Sequence, residues 1–275
     1  MRPKPDANRK RRVHRPWMNL LDLTFPTPNE NLACDEALLD SCDAGDGPAV
    51  LRFWEPRQYF VVVGFSNRVE HEVNVAACRE RGIPILRRCS GGGTVVQGPG
   101  CLNYALVLRI ESNPALETIT GTNRFIMERN RSALEQWLSG RRRREEALTA
   151  KPETRSSQSS ISVQGHTDLA IDDRKFSGNA QRRRRHAILF HGTFLLDFDL
   201  ALVNRLLPMP SREPDYRRSR SHGEFLMNLK APAAEIKAAL AQTWGAGVPV
   251  DELPSAATSV LAIEKYSSDA WNRKF

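Results

Sequence analysis

The chain has 275 residues, 40% of them hydrophobic and 26% charged, which is typical of a soluble globular protein. No apolar run approaches the roughly 20 residues that span a bilayer, and the N-terminus lacks the apolar segment of a secretory signal. The net charge of +8 favours acidic partners, with solvated basic surface as the competing explanation of the arginine runs. Five cysteines without a CxxC pair argue against a disulfide framework and favour a reducing cytoplasm.

The N-terminal part predicts a tail followed by alternating helices and strands. Residues 1–16 are rich in Arg, Lys and Pro and predict a disordered basic tail before one domain over 17–275. The apolar spacing then predicts, in order, a helix over Glu30–Cys42, strands over Ala49–Trp54 and Tyr59–Val63 that pair around a turn, and a helical repeat over Val69–Ala77 before a capping Gly82.

The rest of the chain predicts a long helix, a connection and a second group of strands. Pro114–Leu138 is typical of one long or broken helix. Ser, Arg and Glu dominate residues 139–160, which predict a mobile surface connection. The remaining predicted elements are strands at Leu102–Leu108, Ser162–Gln164, Leu169–Ile171, Lys175–Phe176 and Ala187–Leu195, and helices over Asp199–Leu207, Ala233–Trp244 and part of Ser255–Ala270.

A glycine-rich loop before the strand at Leu102 is the first candidate site. Three consecutive glycines place no side chain between backbone and ligand and tolerate positive φ, so successive N–H groups can converge on one anion. Two arginines just upstream add planar, bidentate positive charge. Because apolar runs hold the loop on both sides, we interpret it as a binding site for phosphate or carboxylate oxygens rather than as a flexible turn. The candidate residues are Arg87, Arg88, Ser90, Gly91, Gly92, Gly93 and Thr94.

A polar stretch in the second half of the chain is the second candidate site. Asp168 and Lys175 stand on either side of a turn predicted at Asp172-Asp173, so both can face one cleft. A lysine held by strand pairing is a well-placed point charge for a carboxylate or an α-phosphate. A surface position is the simpler explanation of this lysine alone, but the small and amide-bearing residues after it favour a site. They are Ser177, Gly178, Asn179 and Ala180.

Together these stretches resemble the lipoate–protein ligase A family, within the biotin/lipoate protein ligase group. The resemblance extends from about residue 17 to the end. It implies an α/β (α+β) fold of the class II aminoacyl-tRNA synthetase and biotin ligase type, a mixed sheet flanked by helices in a single catalytic domain without the accessory domain. The motifs that carry it are Arg87-Arg88-Cys89-Ser90-Gly91-Gly92-Gly93, Lys175-Phe176-Ser177-Gly178-Asn179-Ala180-Gln181, His191-Gly192-Thr193 and Asn31-Leu32-Ala33-Cys34-Asp35-Glu36-Ala37-Leu38.

The resemblance also implies a chemistry. Lipoate would be activated by ATP, with Mg²⁺, to lipoyl-AMP and passed to a lysine of an acidic lipoyl acceptor domain, in a 2-oxoacid dehydrogenase subunit or a glycine cleavage carrier protein. By similarity, the glycine loop would wrap the acyl tail and phosphate, Lys175 would be the catalytic cation, and Asp168 would lie at the nucleotide and its metal. Fixed cations and N–H groups stabilise the charge that such a reaction develops, so no protein nucleophile is required.

Departures from the family pattern leave an alternative open. Thr167 stands where these ligases usually carry Asn, and Gln97 replaces a common His. The chain ends near Trp271, where bipartite ligases continue into an accessory domain. We therefore expect either a separate accessory subunit or an octanoyl- or lipoyltransferase that works without ATP.

Three further readings are disfavoured by the residues. The related octanoyltransferases use a cysteine downstream of the glycine loop, and this chain has none after Cys101, which together with Cys89 we interpret as a packing residue. We interpret His191 as a hydrogen-bonded structural histidine rather than an acid or base. A nucleic-acid-binding module would need aromatic residues interleaved with the arginine clusters, and the run Arg182–Arg185 is expected instead to steer acidic acceptors toward Lys175.

Overall fold

The computed structural model describes residues 18–149 and 160–275. Within these residues, eight strands form one mixed sheet and three form a smaller one. The strands are β1 (Met18–Asp22), β2 (Val50–Trp54), β3 (Phe60–Val63), β4 (Ile85–Arg87), β5 (Val95–Gln97), β6 (Cys101–Arg109), β7 (Ile161–Gln164), β8 (Asp168–Ile171), β9 (Arg174–Arg183), β10 (Ala187–Leu195) and β11 (Ala246–Pro249). The large sheet has the order β11-β1-β2-β6-β10-β9-β8-β7, and the small sheet has the order β4-β3-β5.

Helices flank both sheets, and the predicted mixed sheet with flanking helices is confirmed. They are α1 (Pro28–Ala44), α2 (Val69–Glu72), α3 (Val75–Glu80), α4 (Ile119–Thr149), α5 (Leu200–Leu206), α6 (His222–Phe225), α7 (Ala233–Trp244), α8 (Ser255–Val260) and α9 (Asp269–Asn272). A π-helical turn over Leu261–Tyr266 continues α8, and Asp215–Arg217 forms a 3₁₀ turn. In the two described ranges, no helix combines the length and the apolar character that crossing a membrane requires.

The central strand β6 carries the core because both of its faces are buried. Its side chains alternate between two clusters, as expected for a strand covered on both sides. Leu106 and Leu108 belong to the cluster formed with α4 and α7, whereas Ala105 and Val107 belong to the cluster formed with α1. Helix α1 starts at a capping box in which Thr27 and Glu30 bond each other's backbone, and it ends at Gly45 in the left-handed conformation.

The predicted hairpin between β2 and β3 is wrong. β2 pairs in parallel with β1 and antiparallel with β6, so both of its edges are taken inside the large sheet. β3 instead pairs with β4 and β5 in the small sheet. Apolar runs separated by a turn identified both strands, but such runs do not specify which neighbour each strand takes.

Helix α4 continues through Thr149, beyond the predicted end at Leu138. Arg, Glu and Ala have high helix propensity, and Arg141 pairs with Glu145 one turn later while bonding the carbonyl of Lys230. The predicted mobile connection over 139–160 therefore begins as helix, and its part from 150 to 159 lies outside the described residues, as does the predicted tail over 1–16. The helical repeat over Val69–Ala77 is split into α2 and α3, because the Asn74 side chain caps α3 at the amide of Ala77.

Candidate functional site

A cavity of about 410 Å³ lies between the two sheets, where the glycine loop faces β9 and β10. Most of the sequence-predicted site residues line it. From the first candidate site these are Arg88, Gly92, Gly93 and Thr94, and from the second Asp168, Lys175, Ser177, Gly178, Asn179 and Ala180. The two candidate sites, more than 70 residues apart in sequence, thus meet around one space.

Arg88 shapes the glycine loop from inside. Its guanidinium donates to the carbonyl oxygens of Gly91 and Gly93 at 2.6 and 2.8 Å, and Asn67 donates to the carbonyl of Gly92 at 3.2 Å. Burial lowers the pKa of Arg88 to about 10, which leaves it charged at neutral pH. With the carbonyls held inward, the N–H groups from Gly91 to Thr94 have no protein partner in the described ranges and can serve an anion.

The loop geometry requires glycine at two positions. Gly92 has a φ of +90°, which an L side chain rarely adopts. A Cβ on Gly64 would lie 2.0 Å from the carbonyl oxygen of Gly92, so the end of β3 must also be bare where it meets the loop. Gly91 and Gly93 would each point a Cβ into open space, and they belong to the loop without being sterically required.

Arg87 does not line the cavity, which is a correction to its predicted ligand contact. It is fully buried, and its guanidinium donates to five backbone carbonyls. Burial accordingly lowers its pKa. The bonds tie the glycine loop to the C-terminal helices, so Arg87 has a structural position. The five acceptors are Gly64, Phe65, Asn67, Trp271 and Asn272.

A β-bulge turns Lys175 into the cavity. The register between β8 and β9 shifts so that Leu169 faces Ser177 while Ala170 faces Lys175, leaving Phe176 as the extra residue. Without this extra residue, Lys175 and Gly178 would point to opposite faces of the sheet. The ammonium instead lies 2.8 Å from a carboxylate oxygen of Asp168, whose neighbour across the strands is Gly178.

Two glycines make room for this arrangement. A Cβ on Gly178 would lie 2.7 Å from the Lys175 ammonium, and a Cβ on Gly192 would lie 1.7 Å from the side-chain oxygen of Asn179. Asn179 is held by Tyr104, whose hydroxyl donates to it at 2.6 Å, and itself donates to the carbonyl of Thr167 at 2.7 Å. The polar run after the lysine is therefore the middle of β9, held by side-chain bonds.

Ser90 lies behind the cavity wall, in contact with His191. The Ser90 hydroxyl is 2.6 Å from Nε2 of His191, and Nδ1 of His191 is 3.6 Å from Asp35. Ser90 is fully buried, whereas His191 and Asp35 line the cavity. His191 thus has a protein partner at one ring nitrogen and a carboxylate near the other, as expected for a structural histidine.

Sequence reasoning missed Asp35 and its partner Arg52. The two form a buried ion pair, and Arg52 also bonds the carbonyl and side chain of Asn31. Burial alone would raise the pKa of Asp35, but the charge of Arg52 and the contact with His191 lower it. Asp35 sits in the motif near the N-terminus that carried the family resemblance, so a signal was present without an assigned role.

The segment from Pro208 to Phe225 was also missed. It forms one wall of the cavity through proline and arginine side chains that no apolar periodicity marks. Tyr216 donates its hydroxyl to Asp168 at 2.9 Å, on the carboxylate oxygen that Lys175 does not use. Burial and the Asp168 charge raise the pKa of Tyr216, so the phenol stays neutral and remains a donor. The cavity-lining residues of this segment are Pro210, Arg212, Pro214, Arg217, His222 and Phe225.

The opposite walls of the cavity consist of apolar side chains and of polar side chains that hydrogen-bond one another. Gln97 donates to Thr193 at 2.6 Å and accepts from Asn103 at 3.0 Å, so these polar groups satisfy one another. A ligand that lies against these walls meets mainly apolar surface, which suits a hydrocarbon tail. The apolar residues lining the cavity are Leu32, Trp54, Val62, Val95, Val96, Leu195, Val203, Leu207 and Leu226.

No cysteine of the chain lines the cavity. All five are buried, as the packing interpretation predicts. Burial raises the pKa of Cys34 to about 11 and those of Cys89 and Cys101 to about 12, so their thiolates are scarce at neutral pH. Among the described residues the cavity therefore offers no activated thiol.

A divalent metal is a poor fit to Asp168 in this arrangement. Its two carboxylate oxygens are already engaged by Lys175 and Tyr216. No group of three or more His, Cys, Asp or Glu side chains that could hold a metal ion occurs in the ranges 18–149 and 160–275. The predicted metal contact of Asp168 is not supported by these neighbours.

The fold and the cavity define the class of protein: a mixed α/β domain with a cavity between its two sheets. Residues 27–243 match the family model described as lipoyl protein ligase A/B catalytic domain, and the chain belongs to this family. It is thus an enzyme, a lipoate–protein ligase or lipoyltransferase; its sequence relatives are named as octanoyltransferases and lipoate-protein ligases.

Two curated relatives illustrate both activities. Octanoyltransferase LipM of Geobacillus kaustophilus is 28% identical, with 92% of this chain and 97% of the relative covered. Lipoate-protein ligase A subunit 1 of Thermoplasma acidophilum is also 28% identical, covering 91% of this chain and 95% of the relative.

Experimental structures of lipoate ligases share the fold. A bi-partite lipoate protein ligase from Thermoplasma acidophilum, studied with its E2 lipoyl domain, superposes with a TM-score of 0.72 at 23% identity, covering 93% of this chain and 95% of that one. A lipoate-protein ligase A bound with ATP superposes with a TM-score of 0.67 at 27% identity, covering 93% and 97%.

Proposed function

We propose that this protein attaches lipoate to a lysine of an acceptor domain through a lipoyl-adenylate. The observation that carries the proposal is the meeting of Lys175 and the glycine loop around a partly apolar cavity that contains no thiol. Cations and free N–H groups suit a carboxylate and a phosphate, and the apolar walls suit the acyl tail.

Lys175 is the proposed catalytic residue. Its ammonium complements the charge on the acyl carbonyl and α-phosphate oxygens, and later the oxyanion formed when the acceptor amine attacks. Asp168 holds this ammonium at 2.8 Å, and the Tyr216 hydroxyl holds Asp168 from its other oxygen. The Lys175 and Asp168 side chains are 24% and 14% exposed, and the two bonds to Asp168 fix the direction of the lysine before the substrate arrives.

The glycine loop is the proposed binding site for the acyl head group and the phosphate. Arg88 keeps the carbonyls turned away, which leaves the N–H groups between Gly91 and Thr94 for anionic oxygens. ATP is the proposed nucleotide, by likeness to the ATP-bound lipoate ligase. Asp168 is held by two protein partners, so in this arrangement it is not offered to Mg²⁺ as a ligand.

An octanoyltransferase is the second candidate because several of the similar proteins carry that name. Transfer from an acyl carrier through an enzyme thioester needs a thiolate in contact with the substrate. The five buried cysteines of this chain do not meet that requirement. An octanoyltransferase activity of this chain would therefore proceed without an acyl-enzyme intermediate. The acceptor amine would attack the acyl thioester of the carrier directly, beside Lys175, and the carrier thiol would leave.

Acceptors are proposed to be lipoyl domains, as the archaeal ligase was studied with its E2 lipoyl domain. A separate accessory subunit is also proposed, since one relative is named as subunit 1 of a ligase. Activity with a preformed adenylate but not with ATP would indicate that adenylation needs this second protein.

A mass-shift assay on a purified acidic lipoyl domain tests the function. Three donors are compared: lipoate with Mg-ATP, preformed lipoyl-AMP, and an octanoyl carrier protein. We expect a lipoyl shift with lipoyl-AMP, lost in Lys175→Met and retained in Lys230→Met, which removes an exposed lysine outside the cavity. Modification from the carrier alone would favour the transferase, and full activity of Lys175→Met with every donor would overturn the catalytic assignment.

A further inference from the structure

A group of cations and aromatic rings lies just outside the cavity, beside the glycine loop. We call Phe65, Arg182, Trp271, Lys274 and Phe275 the cation–aromatic platform. The Arg182 guanidinium is 5.4 Å and the Lys274 ammonium 5.0 Å from the centre of the Phe65 ring. The rings of Trp271 and Phe275 lie 5.8 and 6.3 Å from the same ring. Three separate segments of the chain therefore converge at this point.

The platform is continuous with the rim of the cavity. The amide of Phe65 donates to the carbonyl of Ser90 at 2.8 Å, which fixes the ring next to the loop. Ala180 lines the cavity, and its Cβ would lie 3.7 Å from a Cβ built on Gly92. Arg182 stands two residues further along β9 and therefore on the same face, immediately outside the cavity.

The two cations of the platform have no carboxylate partner in the described ranges. No ion pair within 4.0 Å involves Arg182 or Lys274 there, and the buried Nε of Arg182 has no hydrogen-bond acceptor. A buried donor without an acceptor is costly, and no protein group in these ranges competes for this guanidinium at its Nε. Lys274 is exposed, so it remains accessible to a partner.

The neighbouring arginines are in a different situation. Arg183 donates to the carbonyls of Leu116 and Glu117, and Arg184 pairs with Glu36 and Asp40. These two side chains are already used within the protein. Arg185 is exposed and has no ion pair in the described ranges, but it makes no cation–π contact with the Phe65 ring there. Arg182 is therefore the member of the run that belongs to the platform.

We propose that the cation–aromatic platform docks an acidic face of the acceptor domain, next to the lysine that enters the cavity. This inference rests on the proposed function for the identity of the partner. Cation–π contacts hold the charges in place at the rim, where a carboxylate can reach them. Single-stranded nucleic acid is less suited, because side-chain cations already lie over the Phe65 ring, and also over Trp271 at 4.1 Å from Lys265, where a base would stack.

Binding of an unmodified acidic lipoyl domain to the full chain tests the proposal without any chemistry. Dissociation constants are measured by calorimetry at low and at high salt for Arg182→Ala, Lys274→Ala and the double variant. Arg143→Ala is the matched control, because it removes the same charge from an exposed position on α4, which lines no part of the cavity. We expect the double variant to weaken binding about tenfold at low salt, with the difference fading at high salt.

A second arm uses a lipoyl domain whose carboxylates nearest the acceptor lysine are changed to amides. The platform substitutions should then have little further effect, because their partners are gone. Equal weakening with both domains, unchanged binding in the double variant, or tighter and more mutation-sensitive binding of single-stranded RNA would each overturn the proposal. If Arg182→Ala raised the KM for lipoate, Arg182 would belong to the acyl site, and the docking proposal would also be overturned.

The same measurements separate this inference from the proposed function. Lys175→Met should leave acceptor binding unchanged while it abolishes transfer. If the chemistry proves different but the acidic domain still binds through Arg182 and Lys274, only the proposed function fails. If Arg182→Ala does not fold, the test rests on Lys274→Ala, which changes an exposed residue. An unchanged dissociation constant of this variant for the acidic domain would overturn the docking proposal.

Discussion

Replacing Gly178 by alanine should separate the position of Lys175 from the stability of the fold. The new methyl group would lie 2.7 Å from the ammonium and 2.8 Å from the adjoining methylene of Lys175, and 3.6 Å from Asp168. Gly178 does not have a positive φ, so alanine is compatible with the backbone there. The lysine must therefore move, and it can do so because the contact is at the far end of a flexible side chain.

The structure predicts a small cost in stability and a large cost in activity. Moving Lys175 breaks its pair with Asp168, a partly exposed contact worth about 0–1 kcal/mol. A catalytic group displaced by about 1 Å can lose about a hundredfold in rate. We therefore expect transfer from lipoyl-AMP to fall about a hundredfold, with the free energy of unfolding lowered by no more than about 1 kcal/mol.

Single-turnover transfer from lipoyl-AMP and urea unfolding are the two measurements. Gly140→Ala is the control, since a Cβ there meets nothing closer than 3.9 Å and the residue lies on α4, away from the cavity. In a Lys175→Met background, Gly178→Ala should have little further effect on the rate, because the group that it displaces is absent. Wild-type activity of Gly178→Ala, or additive losses in the double variant, would refute the reasoning.

Three further changes test other parts of the site. Asp35→Asn should lower the free energy of unfolding by about 3–5 kcal/mol at pH 7, because it leaves Arg52 buried without its counter-charge. The folded-state pKa of Asp35 is depressed, so the stabilisation by its carboxylate is present above the unfolded pKa of about 3.9 and is lost as pH falls through the folded value. In urea unfolding, the difference in free energy of unfolding between Asp35→Asn and wild type should therefore close only below about pH 4. Tyr216→Phe removes the 2.9 Å bond to Asp168 and should reduce kcat about fivefold, corresponding to about 1 kcal/mol, with an unchanged KM for the acceptor as the check. Cys89→Ala should retain transfer activity. In the native wild-type protein, iodoacetamide at pH 8 should leave Cys89 unlabelled, because burial raises the pKa of this thiol to about 12. Stoichiometric labelling of Cys89 in mass analysis would contradict the packing role.

Much of the secondary structure was predictable because it depends on local chemistry. The helix over Ala233–Trp244 is observed with the predicted bounds, and Asp199 caps α5 as expected from its side chain. The turn at Asp172-Asp173 is also confirmed, with both residues at positive φ. Strand partners were not predictable in the same way, as the separation of β2 and β3 into different sheets demonstrates.

The candidate site was only partly predictable. Both motifs meet in one cavity, but some of their residues line it and others are buried behind it, and the motif sequence does not show which. Arg87 and Arg88 are adjacent and identical in kind, yet one bonds five carbonyls away from the cavity and the other lines it. Alternation along a short strand cannot tell which of two neighbours faces a site until the packing on each face is known.

The sequence by itself determined which residues could do the chemistry: a bare glycine loop and a lysine in a strand that small residues follow. Those properties belong to each residue and its close neighbours, so a linear reading captures them. Only the tertiary structure decided how they are arranged in space. The bulge at Phe176 turns Lys175 toward Asp168, and Arg182 and Lys274, more than 90 residues apart in the chain, both lie over the Phe65 ring. Such contacts depend on which surfaces the packed sheets bring together, and spacing along the chain does not encode them.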